Sequence, residues 1–161
     1  MGITTQTVRV DPYRSFNFLI TLVDSANAPG TPLTPTSSQP SGGFSECSGL
    51  EMSMDIEEYK EGGNNATILR FPTCVKWANL RLKRGITVAD DLWLWHFGFV
   101  QGQVVRRDGV VTLQDEQQNP VKMWSFTRGL PVKWSGPTLN ASQNQLAIEE
   151  LEIAHEGLKR L

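Results

Sequence analysis

The chain is poor in the groups that usually carry catalysis or metal binding. Its 161 residues include two cysteines and two histidines. Cys47 and Cys74 lack the close paired spacing of a zinc knuckle, so at most one bridge could form, and core thiols are expected. No serine stands in a Gly-x-Ser-x-Gly turn. Gly42-Gly43 and Gly62-Gly63 lack the following Lys-Ser/Thr and helix of a phosphate loop. Strong charge of one sign is also missing. Fifteen basic against seventeen acidic residues leave a net charge of −2, which gives no positive field for gripping a phosphate backbone. No apolar run approaches the ~20 residues that span a bilayer, and no basic start leads into an apolar stretch that would direct secretion. A cytoplasmic site of synthesis is the expectation.

What is present is an ordinary apolar fraction of 39% with 14 Gly and 9 Pro, which points to many turns and one β-rich domain over residues 1–161. Residues 44–63, FSECSGLEMSMDIEEYKEGG, hold the most informative stretch. Leu50, Met52, Met54 and Ile56 alternate as in a strand, then run into an acidic, glycine-ended segment anchored only by Tyr59. That segment is expected to protrude as an arm over residues 56–66, either as a solvated tip or as a strand extension completed by another molecule. Another strand is expected over Tyr13–Val23, and residues 25–43, with prolines at 29, 32, 35 and 40, form a mobile insertion loop. Thr67–Phe71 reads as a short strand broken by Pro72, with alternation resuming from Cys74 to Arg84. Thr87 three residues ahead of Asp90 resembles a capping box, which predicts a flanking helix over about 88–100 with Leu92, Trp95 and Phe99 on one stripe. Asp108-Gly109 predicts a two-residue hairpin between strands at 103–107 and 110–114. A turn at 115–120 leads to strands at 121–127 and 131–134. Residues 146–156 fit a helical stripe or a strand, with periodicity alone favouring the helix.

Three arrangements invite a chemical reading. A Cys74–His96 dyad is conceivable, but such residues usually pack. Glu149, Glu150, Glu152, His155 and Glu156 resemble a ligand cluster, yet successive residues on one element point apart, so a solvated or interface edge is expected. The five tryptophans, 77, 93, 95, 124 and 134, are spread over several elements, as core or subunit-interface residues are. No enzyme activity, cofactor or metal is expected, and the protein reads as a part made for assembly.

The sequence resembles the phage tail tube proteins of contractile tails and extracellular contractile injection systems, and more distantly the haemolysin-coregulated tube protein of type VI secretion. The likeness rests on DPYRSFNFLI at 11–20, the 44–63 stretch, LRLKRGITVADDLWLWHF at 80–97, PVKWSGPTLNA at 131–141 and AIEELEIAHEGL at 147–158. The resemblance implies a small antiparallel β-barrel or sandwich with one flanking helix, and a strand rather than a helix at 146–156. It implies homo-hexameric rings stacked into a tube, with sheath, baseplate or spike, and tube-terminating proteins as partners and DNA or protein as cargo in the lumen. Assembly into a phage tail or phage tail-like particle, virion-borne or secreted from a bacterial cell, follows. The inter-subunit contact is expected at Glu57, Glu58, Tyr59, Lys60, Glu61, Gly62 and Gly63, with Lys83 and Arg84 as basic partners for the acidic arm. The alternatives are a tube initiator at the baseplate and a monomeric ligand-binding barrel.

Overall fold

A computed structural model describes residues 12–25, 43–63, 67–142 and 144–161. The insertion expected at 25–43 lies outside the described residues except at its two ends. In chain order the elements are β1 (Phe18–Asp24), β2 (Glu46–Ser48), β3 (Met52–Lys60), β4 (Ile68–Trp77), β5 (Leu80–Gly85), α1 (Asp91–Val100), β6 (Arg107–Gln114), β7 (Pro120–Ser135), β8 (Ile148–Ala154) and β9 (Gly157–Arg160). Over the described residues the fold is mainly β and antiparallel, with one helix, as the sequence led us to expect.

Seven strands form one sheet in the order β1-β6-β7-β8-β5-β2, with β9 also pairing on β7. β7 organises it. Its first part lies between β6 and β9, and its last part pairs with β8. Period-two alternation puts Ile20, Leu80, Leu82, Val111, Phe126, Leu151, Ile153 and Leu158 into one core, closed by Leu92 and Trp95 of α1. Each such side chain, once fully buried, contributes about 1.5–3 kcal/mol.

Asp108-Gly109 is not a hairpin turn. β6 runs straight through it, and residues 103–106 before it are irregular. The Asp108 carboxylate accepts hydrogen bonds from the Arg128 amide and the Ser25 hydroxyl, both at 2.6 Å. It thereby pins a bulge at which Arg128 adopts φ 54°. Gly109 serves packing rather than a turn, because a Cβ there would lie 2.4 Å from the Phe126 ring. Phe126 is fully buried and cannot retreat, so Gly109→Ala is expected to cost about 1–3 kcal/mol by overpacking. A urea melt reading a lower midpoint at unchanged slope checks this; an unshifted midpoint contradicts it.

Three further strand predictions are corrected. The strands expected at 121–127 and 131–134 are one strand, β7, which absorbs the irregularity in its bulges. Pro72 does not break β4. It lies opposite Ile56 in a two-stranded ribbon, where an open edge tolerates a missing N–H. The predicted strand from Cys74 to Arg84 instead divides at Ala78-Asn79 into β4 and β5.

Helix α1 begins at Asp91, three residues later than the sequence suggested, and Asp90 makes no side-chain cap. The Thr87 hydroxyl accepts from the Ala89 amide at 3.3 Å, a local turn rather than a capping box. Arg84 ties down the helix start instead. Its guanidinium donates to the Ala89 carbonyl at 2.9 Å, to Asp91 at 2.6 Å and to Glu149 at 2.6 Å. Trp134 Nε1 donates to the other Glu149 oxygen at 2.9 Å. Residues 148–154 form strand β8, with Glu149, Leu151 and Ile153 inward.

Candidate assembly interface

β3 and β4 are the projecting half of one long hairpin. The pairs Glu46↔Lys83 and Ser48↔Arg81 of β2 and β5 keep the same offset as Met52↔Trp77 and Met54↔Val75 of β3 and β4. Between the two halves the chain is pinched. Gly49 adopts φ +89°, and a Cβ there would lie 2.1 Å from the Asn79 carbonyl oxygen, so no other residue fits. Beyond the pinch all nine residues of β3 and nine of the ten in β4 are exposed.

Trp77 fastens the root of this arm. It packs against the core, and its ring lies 6.1 Å from that of His155, which in turn is 6.0 Å from that of Phe126. Both ring nitrogens of His155 are shielded from solvent. Burial pushes its pKa below the usual histidine value, partly opposed by nearby backbone groups of Ala78 and Gly157. The folded state therefore binds this proton less readily than the unfolded chain. Stability is full above the unfolded value of about 6.5 and is lost as pH falls from there through the lowered folded value. Thermal melts should show a steeper loss below pH ~6.5 in the native chain than in His155→Leu, since the unfolded histidine sets that threshold. Equal slopes would contradict the assignment.

Directly paired residues share a face of a ribbon. Met52, Met54 and Ile56 thus lie with Val75 and Trp77 on one face, and Met52 is 66% exposed. At Asp55 the register shifts, Thr73 and Cys74 opposing a single residue. Beyond the shift Tyr59, Leu69 and Phe71 lie together on the opposite face, with Tyr59 57% exposed, while Ile68 stays on the face of Ile56. The remaining face of each half carries an ion pair. Lys76–Asp55 at 2.6 Å backs the proximal stripe, and Arg70–Glu58 at 3.1 Å backs the distal one. Such exposed pairs add little stability.

Of the residues expected at the contact, Glu57–Lys60 end β3 and Glu61, Gly62 and Gly63 begin its tip. Lys83 and Arg84 lie at the other end of the long hairpin. Lys83 contacts Glu46 at 2.9 Å and Glu150 at 4.0 Å. Arg84 is 3% exposed and held by Glu149 and Asp91, so it builds the subunit interior and is not available to an arm. Phe71 and Val75 of β4, which the sequence reading did not single out, join Met52 and Met54 of its alternating stretch on the exposed surface of the arm. Its signal, alternation on both sides of Pro72, was present in the sequence.

Other candidates disperse. Cys74 is exposed on β4, while His96 Nδ1 lies 3.2 Å from the Pro131 carbonyl, so the dyad is not assembled. Cys47 is partly buried, and burial, then Glu46, pushes its thiol up to about 11. Core thiols are therefore half right, as Cys74 is at the surface. Strand alternation scatters the glutamate cluster: Glu149 faces Arg84, Glu152 contacts Asn79 and Arg81, and Glu156 contacts Arg106 and Arg128. Among the described residues no group of three or more such side chains could hold a metal. No described helix is long and apolar enough to cross a membrane.

A model of the T4-like virus tail tube protein gp19 family matches residues 14–159. The chain belongs to the phage tail tube family. Its fold is similar to that of a chain in the cryo-EM structure of the anti-feeding prophage baseplate, at 27% identity and TM-score 0.82, covering 95% of this chain and 97% of that one. A chain of the sheath-tube complex of the PVC extracellular contractile injection system aligns at 20% identity and TM-score 0.78, over 100% of this chain and 99% of that one. A chain of the anti-feeding prophage tube-terminating cap aligns at 21% identity and TM-score 0.77, over 100% and 99%. No curated protein matches by sequence.

Proposed function

We propose that this tail tube protein is the repeating subunit of the inner tube of a contractile tail or injection system. Six copies close a ring, and rings stack into a tube whose lumen conducts DNA or protein cargo within a sheath. The observation that carries the reading is the arm: an apolar two-stranded ribbon with open edges and almost no support from its own subunit, marginal alone in water. Residues Glu57–Gly63 and the rest of the ribbon then contact neighbouring copies, with Lys83 at the rim and Arg84 as internal support. The outward face of β2, β5 and β8 suits a conduit. Glu46, Lys83 and Glu150 alternate in sign along one row and Arg81 and Glu152 along the next, leaving no net cation to hold a polyanion.

A second reading, a tube initiator joining tube to baseplate or spike, is favoured by the baseplate origin of the 27% identical neighbour. Negative-stain microscopy and native mass spectrometry of the purified chain test both. Open-ended tubes support the tube body, closed hexamers that do not stack support the initiator, and a strict monomer at high concentration removes both.

A further inference from the structure

The apolar surface of the arm changes faces at the bulge, and this has a consequence for how it is held. The proximal stripe of Met52, Met54 and Ile56 and the distal stripe of Tyr59, Leu69 and Phe71 stand on opposite sides of one ribbon. Behind the proximal stripe lies the Lys76–Asp55 pair, and behind the distal stripe lies the Arg70–Glu58 pair, with Lys60 and Ile68 beyond it toward the tip. Side chains stand perpendicular to a ribbon, so one flat partner surface covers one stripe and leaves the other in water. We propose that the arm is bivalent: its two stripes are covered by two different copies of this chain, one on each side.

The proposal rests on the tube reading for the existence of assembled copies. Identical copies are the occupants because each brings a matching surface. Helix α1 carries no charged residue from Leu92 to Val100 and exposes Leu94 and Val100, with Trp93 and Phe97 stacked 5.5 Å apart beside them. At 1.5 Å per residue this ridge is about 13 Å long, comparable with the ~10 Å of the distal stripe. We assign that stripe to α1 of one copy. The ion pairs on the reverse faces take up Lys76, Asp55, Arg70 and Glu58, while Glu57, Lys60 and Glu61 take part in neither. Each stripe offers three or four large side chains, well below the ~800 Å² per partner of a standard interface. Each contact is therefore weak alone and holds through repetition in a closed assembly.

The test pairs two variants of the full chain, Met54→Glu in the proximal stripe and Phe71→Glu in the distal one. Both positions are exposed, so folding should survive, and circular dichroism verifies it. The expected result is two different arrested products, such as rings that do not stack from one variant and no rings from the other, each with at least a tenfold loss of pelletable polymer. Identical products, or unimpaired polymer from either variant, overturn the proposal. A photo-crosslinker placed separately at Met54 and Phe71 gives an independent reading. Adducts on two different segments of other copies, with Phe71 on residues 91–100, support it; one shared segment, or adducts within the same chain, overturns it. A native chain that never assembles refutes the tube reading instead.

Discussion

Replacing residues 52–76 with a short Gly-Ser turn is expected to abolish assembly while the subunit stays folded. Few proteins can lose this much regular structure without unfolding. Here the two strands of the segment are exposed along their length, and the residue of β3 and β4 that packs on the core, Trp77, is kept in the variant. The melting temperature of the truncated chain should stay within a few degrees of that of the dissociated native chain, because ribbon side chains in water contribute little to the monomer. Sedimentation velocity should find one small species at concentrations where the native chain pellets. Loss of the folded subunit would mean that the arm is part of the core. Retained polymer would mean that assembly uses another surface.

The second large effect belongs to the buried ion cluster of Arg84, Glu149 and Asp91. Arg84 is 3% exposed and Glu149 5%. Burial alone would lower the Arg84 pKa, but the hydrogen bonds it donates to Asp91 and Glu149, with their negative charges, outweigh this and raise the value above the ordinary one. The guanidinium therefore stays charged in a desolvated site. Glu149→Leu removes one partner of that charge and also the acceptor of Trp134 Nε1. Breaking a buried pair in this way costs about 3–5 kcal/mol, which at this size corresponds to a drop of roughly 10 °C or more. Arg84→Met combined with Glu149→Leu should recover much of the loss, since an apolar replacement leaves no orphaned buried charge on either. Differential scanning calorimetry of single and double variants reads both. A double variant as unstable as the sum of the singles contradicts this account.

The places where the sequence misled share a physical cause. Residues 148–154 resisted a strand reading because an inward position holds Glu149 and an outward one holds Ile148, so the two-residue alternation is inverted at its start. Arg84, across the sheet and opposite Glu149 in register, is what makes that inversion stable, and no local window contains both. Asp108-Gly109 looked like a turn because positive φ is the usual reason for glycine beside aspartate. Here the reason lies in Phe126 and Arg128, some twenty residues further on. The second half of the first expected strand, which starts at Phe18 rather than Tyr13, the body of α1 and the turn at Asp115 were legible, since their signals are local. The Asp115 carboxylate accepts amides of Gln117 at 2.9 Å and Asn119 at 2.8 Å. At the arm the alternation of Met52, Met54 and Ile56 was legible, while the distal stripe of Tyr59, Leu69 and Phe71 was obscured by a bulge that puts it on the other face.

Hydrogen exchange on the β3 and β4 amides, followed in dissociated and assembled protein, tests most directly that copies of the chain complete what one copy leaves open. The account predicts rapid exchange of these amides in the dissociated subunit, while β6 to β8 stay protected, and strong protection of β3 and β4 once the protein assembles. Protection of the ribbon in the isolated subunit equal to that in the assembly, or none in either state, would contradict it.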